Sequence, residues 1–160
     1  MIPVVVQFSY LALSINIALG VLGLTIILVF HGSAINRLFM RFEDFTSQNL
    51  IHKQYHRVFF HFYVSFIGIA LIHIAEILMW ALFVVLLNLI PSPIDAILFA
   101  GSCYTTIGFV SDILPPGWKS LALFIAFTGL FSIAWTTSVM IGMTESYRQA
   151  WRLKHSRPHS

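Results

Sequence analysis

The chain has a single cysteine, Cys103, and only 9% of its 160 residues are Asp, Glu, Lys or Arg. A lone cysteine excludes an internal disulfide framework and leaves the redox compartment unread. The charged fraction falls far below the roughly 25% of a soluble domain. No basic face sits on a soluble domain, so nucleic-acid binding is not expected. No phosphate loop, nucleophile–base pair or metal cluster can be read, so no enzymatic chemistry is expected. From Ile2 to Phe30 there is no Lys, Arg, Asp, Glu or His. That segment therefore lacks the arginine array of a voltage sensor.

What the chain does have is apolar sequence in long runs, 58% of it hydrophobic. Residues 2–30 exceed the roughly 20 needed to cross a bilayer. They lack a positive start and a small-residue cleavage site, which predicts a retained helix rather than a signal peptide. His31 to Arg57 reads as a polar connection. Arg37, Arg41, Lys53 and Arg57 stand against Glu43 and Asp44 there, and Phe39, Met40 and Phe42 suit a short helix lying at the membrane surface. Residues 58–90 form a second helix, long enough to tilt or project. Pro91-Ser92-Pro93 stops it. Ser92 then caps a new helix, with Pro93 in its first position and Asp95 in its first turn. That helix, 93–104, is apolar but too short to cross. A polar loop follows, then a third spanning helix over 118–143. The expected organisation is 1–57 for the first helix and its connection, 58–143 for a central domain, and 144–160 for a basic tail.

Basic residues mark the cytoplasmic side. They cluster in the first connection and in the tail, at Arg148, Arg152, Lys154 and Arg157. Three spans put both clusters on the same side, with the N-terminus outside and the C-terminus cytoplasmic. A fourth span at 94–113 would put the basic tail outside. The short helix is therefore expected to be re-entrant, dipping into the membrane and ending partway.

Irregular backbone at membrane depth is tolerated where it lines a wet path or is buried in protein. The carbonyl end of a short helix favours cations. Four converging loops of backbone carbonyls can replace the hydration shell of a potassium ion. Tyr104-Thr105-Thr106-Ile107-Gly108-Phe109 resembles the potassium-channel filter, T-T-V-G-Y-G-D. The chain is similar, more specifically, to bacterial three-span potassium-channel-like proteins of the two-helix pore family. Asp112-Ile113-Leu114-Pro115-Pro116-Gly117-Trp118 fits that group's post-filter stretch. His73, Glu76 and Trp80-Ala81 look like its helix before the pore, and Gly129 and Trp135-Thr136-Thr137 like its inner helix.

The resemblance implies an all-α membrane protein with three transmembrane helices plus a re-entrant pore helix and filter loop. It implies a homotetramer in the lipid bilayer of the bacterial plasma membrane that passes potassium or other monovalent cations. No cofactor is implied beyond permeant K+ or Na+. The outer helix would be 58–90, the pore helix 93–104, the filter 105–112 and the inner helix 118–143. Thr105, Thr106, Ile107, Gly108, Phe109 and Val110 would form the filter, with the ion at Thr106, Ile107 and Gly108. His73, Glu76, Ser102, Ser111 and Asp112 would support it. Gly129 would be a gate hinge, although close helix packing explains a glycine equally well. The chain departs from the family where Val110 and Ser111 replace the second filter glycine and the aspartate. A β-branched residue avoids the backbone angle which that glycine adopts. Weakened selectivity of the channel is therefore expected, and the alternative is a non-conducting or auxiliary pore-like membrane subunit.

His73 and Glu76 share one helical face. A mid-span carboxylate costs about 2.5–3.5 kcal/mol on insertion scales, so Glu76 is expected to meet a donor, either His73 or the pore helix. Two ligands on one helix do not make a metal site. His31, His52, His56, His61, His155 and His159 are expected to be solvated or interfacial.

Overall fold

The computed structural model describes residues 10–108 and 113–155. Helix α1 spans Tyr10–Ile51, α2 Tyr55–Leu86, α3 Pro93–Tyr104 and α4 Leu121–His155, and the described residues contain no strand. Among the described residues, α1, α2 and α4 are long and apolar enough to cross a membrane. The chain is accordingly an all-helical membrane protein.

The first helix does not end where its apolar run ends. It continues to Ile51 through the stretch expected to be a connection with its own surface helix. No proline or glycine interrupts residues 33–51. Ile35, Phe42, Thr46 and Asn49 are buried, with Leu38 and Phe39 partly so. That spacing is a helical stripe carried beyond the uncharged run.

Two helix ends explain the junctions on either side of α2. Lys53 takes φ +56° and Asn88 φ +53°. Around Lys53, its own N–H bonds Leu50 O and that of Gln54 bonds Asn49 O, at 3.1 and 2.8 Å. Around Asn88, its N–H bonds Val85 O and that of Leu89 bonds Val84 O, at 2.9 and 3.0 Å. Both are Schellman caps, which satisfy the last carbonyls of a helix. Asn88 ends α2 at Leu86, ahead of the proline that was expected to stop it at residue 90.

The expected short helix at 93–104 is present with those bounds. Ser92 is its N-cap, its Oγ accepting the Asp95 N–H at 3.3 Å, and Pro93 opens the first turn. α4 extends beyond the predicted end at 143 to His155. Residues 144–155 have no helix breaker, and Arg152, Lys154 and His155 in the last turn suit the negative end of the dipole.

The chain divides into two compact units. The first comprises residues 1–28 and 77–130. Its core joins Ile27, Trp80, Val84, Phe99, Ala100, Tyr104, Leu121 and Ile125. α3 contributes Ala96, Phe99, Ala100, Cys103 and Tyr104, a buried stripe at helical spacing. The second unit comprises residues 29–76 and 131–160. Ile35, Phe42, Ile69 and Met143 form its apolar core.

Candidate functional site

The carbonyl end of α3 leads directly into Thr105-Thr106-Ile107-Gly108. The Thr105 N–H bonds Gly101 O at 3.0 Å, and its hydroxyl donates to the same oxygen at 2.7 Å. The Thr106 N–H bonds Cys103 O at 2.9 Å, and the Gly108 N–H bonds Ser102 O at 3.1 Å. Three last-turn carbonyls are thus closed by donors of the loop itself. Thr106 takes φ +60° and Gly108 φ +70°. Glycine enters that region freely, whereas a β-branched threonine is an outlier there, at a cost of about 1–2 kcal/mol. Thr105 to Gly108 are all exposed in the single chain. Among the described residues, no backbone N–H bonds the carbonyls of Thr105, Thr106, Ile107 or Gly108.

Two neighbours hold this end in place. Gly129 of α4 is buried, and a Cβ there would collide with the Tyr104 carbonyl, its carbon 2.9 Å away. A bare backbone at this point lets α4 lie against the last residue of α3. Asn16 of α1 donates from Nδ2 to Gly117 O at 2.7 Å, fixing the return loop before α4. Ser102 is buried, and its hydroxyl is satisfied by Phe99 O at 3.0 Å. Its carbonyl, rather than its side chain, serves the loop. Phe109, Val110, Ser111 and Asp112 lie outside the described residues.

A second constellation belongs to the other unit. His31 of α1 and Glu76 of α2 are both fully buried, with His31 Nδ1 2.5 Å from Glu76 Oε1. His73 Nε2 lies 3.1 Å from the Thr136 hydroxyl of α4, and His31 Nε2 lies 3.4 Å from it. The two imidazole centroids are 5.5 Å apart, and the Trp135 ring stands edge-on to His31 at 5.8 Å. The hydroxyl has one proton to give, so at least one imidazole must donate to it. With His31 donating from Nδ1 to Glu76, its Nε2 accepts from Thr136, which in turn accepts from His73.

The expectation that His31 is solvated or interfacial is overturned: the continuation of α1 buries it completely. The signal was a carboxylate inside an apolar run, which demands a partner from a neighbouring helix. Thr136 joins this network, while the exposed Thr137 donates to its own helix at Ile133 O. The structure therefore gathers His31, His73, Glu76 and Thr136 in one unit, and Ser102, Thr105, Thr106, Ile107, Gly108 and Gly129 in the other. No protein-family model matches the chain, and neither does any curated protein or solved structure.

Proposed function

We propose that the chain is one subunit of a tetrameric cation channel, with Thr105 to Gly108 forming the inner half of its ion path. The observation that carries this reading is the left-handed backbone at Thr106 and Gly108, directly after a short apolar helix. A 12-residue helix extends only about 18 Å, well short of a hydrocarbon core of about 30 Å. It is therefore re-entrant in this reading. Its polar end then lies at membrane depth, where irregular backbone requires a wet path or protein around it. Carbonyls that no described backbone donor engages are suited to coordinating a dehydrated monovalent cation. Their exposure in one chain leaves them accessible to an axis shared with other copies. In this reading the C-terminus is cytoplasmic and the N-terminus outside, a topology that the basic residues near the helix ends favour.

Val110 favours a second reading, a pore-like subunit that does not conduct alone. Purified protein in planar bilayers with mixed potassium and sodium distinguishes the two. Cation-selective single-channel currents that Gly108→Ala reduces support the channel. Silence across pH and voltage from folded tetramers supports the second reading. An assembly without a central axis lined by residues 105–108 overturns both.

A further inference from the structure

We propose that His31, His73 and Glu76 bind one transition-metal ion, with zinc the best match. Two helical stretches of the second unit, His31 on α1 and His73 with Glu76 on α2, bring these groups together, and each residue offers a ligand atom within 4.8 Å of the others. Two imidazoles and one carboxylate make a three-ligand zinc set with a fourth position left open. Magnesium and calcium take all-oxygen shells, which two histidines cannot supply.

The distances are close to what an ion needs. A tetrahedral zinc with bonds of about 2.0–2.1 Å holds its ligand atoms about 3.4 Å apart. The widest separation allowed by the 4.8 Å limit therefore closes by about 1.4 Å, within reach of imidazole rotation. His31 and Glu76, now 2.5 Å apart, open slightly to admit the ion.

Composition argues the same way. One imidazole suffices to pair a buried carboxylate. A second, with its ring 5.5 Å from the first, offers a further nitrogen within 4.8 Å of both partners' ligand atoms. A divalent cation shared by all three uses both rings and compensates the buried negative charge. His73 and Glu76, three apart on α2, present both groups on one face, and facing helices of a bundle commonly complete such sites. Thr136 then stands where it accepts the N–H of a ligating imidazole, the partner that fixes ring orientation around a metal. The proposal does not rest on the channel reading, which depends on α3 and its loop.

The test is metal uptake by full-length protein in detergent, purified without a histidine tag, stripped with chelator and titrated with Zn2+ or Co2+. One ion per chain and the visible absorption of tetrahedral cobalt are expected. His31→Gln, His73→Gln and Glu76→Gln should each weaken binding by more than about 100-fold, and Thr136→Val by about 10–100-fold, as for loss of an outer hydrogen-bond partner. His52→Gln, at an exposed position, should change nothing. His73→Cys keeps the test sharp where a glutamine variant fails to fold. A sulfur-to-cobalt charge-transfer band appears only if residue 73 ligates. The proposal is overturned if the wild type takes up no stoichiometric metal. It is equally overturned if uptake survives His73→Gln and Glu76→Gln together, or if the His73→Cys protein binds cobalt without the sulfur band.

Discussion

Replacing Gly129 by alanine adds one methyl group where α4 meets the end of α3. The new Cβ would stand 2.9 Å from the Tyr104 carbonyl carbon and closer still to its oxygen. Both atoms are backbone, so no rotamer change relieves the collision. Overpacking of this kind costs about 1–3 kcal/mol, and the helix gains about 0.8–1.0 kcal/mol from alanine over glycine. Because the obstacle is rigid, the upper part of the first range applies, and the net loss is about 1–2 kcal/mol. Two other glycines give the opposite sign. A Cβ at Gly142 would meet the Phe39 ring at 3.5 and 3.6 Å, and one at Gly101 would meet Ile77 Cγ2 at 3.7 Å, ordinary contacts in both cases. Those alanine variants keep the helix gain and lose nothing. Thermal unfolding in one detergent, followed by circular dichroism, reads all three against the wild type. At about 2–4 °C per kcal/mol for chains of this size, Gly129→Ala should melt several degrees lower and Gly142→Ala slightly higher. Equal upward shifts at 129 and 142 would refute the close approach of Gly129 to Tyr104.

Val110→Gly should raise potassium preference over sodium, read as a shift in reversal potential; unchanged selectivity removes Val110 as its determinant. Thr106→Gly should stabilise the folded protein by about 1 kcal/mol through relief of left-handed strain and, if the proposed channel holds, at the same time lower conductance by removing the threonine hydroxyl. Ser92→Ala removes the N-cap of α3 and should cost about 1 kcal/mol, measurable as lower thermal stability. His31→Leu removes the Nδ1 donor to the buried Glu76 Oε1 and should cost about 1–3 kcal/mol, while adding Glu76→Gln to it should recover part of the loss in the same unfolding assay.

The short helix 93–104 was legible because its boundaries are local chemistry. Ser92, Pro93 and Asp95 announce the start, and a polar Thr-Thr pair follows the last apolar residue. The spanning segments were legible as well, since long uncharged runs need no knowledge of tertiary partners. The continuation of α1 was not. Its charged residues, Arg37, Arg41, Glu43 and Asp44, masked an apolar stripe that becomes visible only once Ile35, Leu38, Phe39 and Phe42 are counted along a helix. The same masking hid His31. It stands at the end of an uncharged run, where a solvated histidine is the ordinary expectation, and its partner lies 45 residues away on another helix. The pairing of Glu76 was foreseeable in kind but not in identity, because no local pattern says which helix faces which. Gly129 invited a hinge reading through the family resemblance, with close packing as the equal alternative, and the structure supplies a packing reason for it at Tyr104.

Three helix ends within this one chain show how unusual the third is. At α1 and α2 the left-handed residue is Lys53 or Asn88, and the very next residue closes the longer cap bond, Gln54 to Asn49 O and Leu89 to Val84 O. At α3 the left-handed residue is Thr106, among the worst choices for that conformation. The longer bond is made one residue late, from Gly108 to Ser102 O, so Ile107 is looped out of the cap and stands exposed. Asparagine would stop a helix at this position with less strain, and the chain uses one, Asn88, at the end of the preceding helix. Threonine at 106 and an extra residue at 107 are therefore not explained by the need to terminate α3. Strain of this kind persists where the surrounding structure over-determines it, and it concentrates at sites that bind or switch. Here the over-determination is visible: the buried face of α3, the bare backbone of Gly129, and two donors from Thr105 on one carbonyl. The residues that bear the strain are the same ones whose carbonyls the ion path would use.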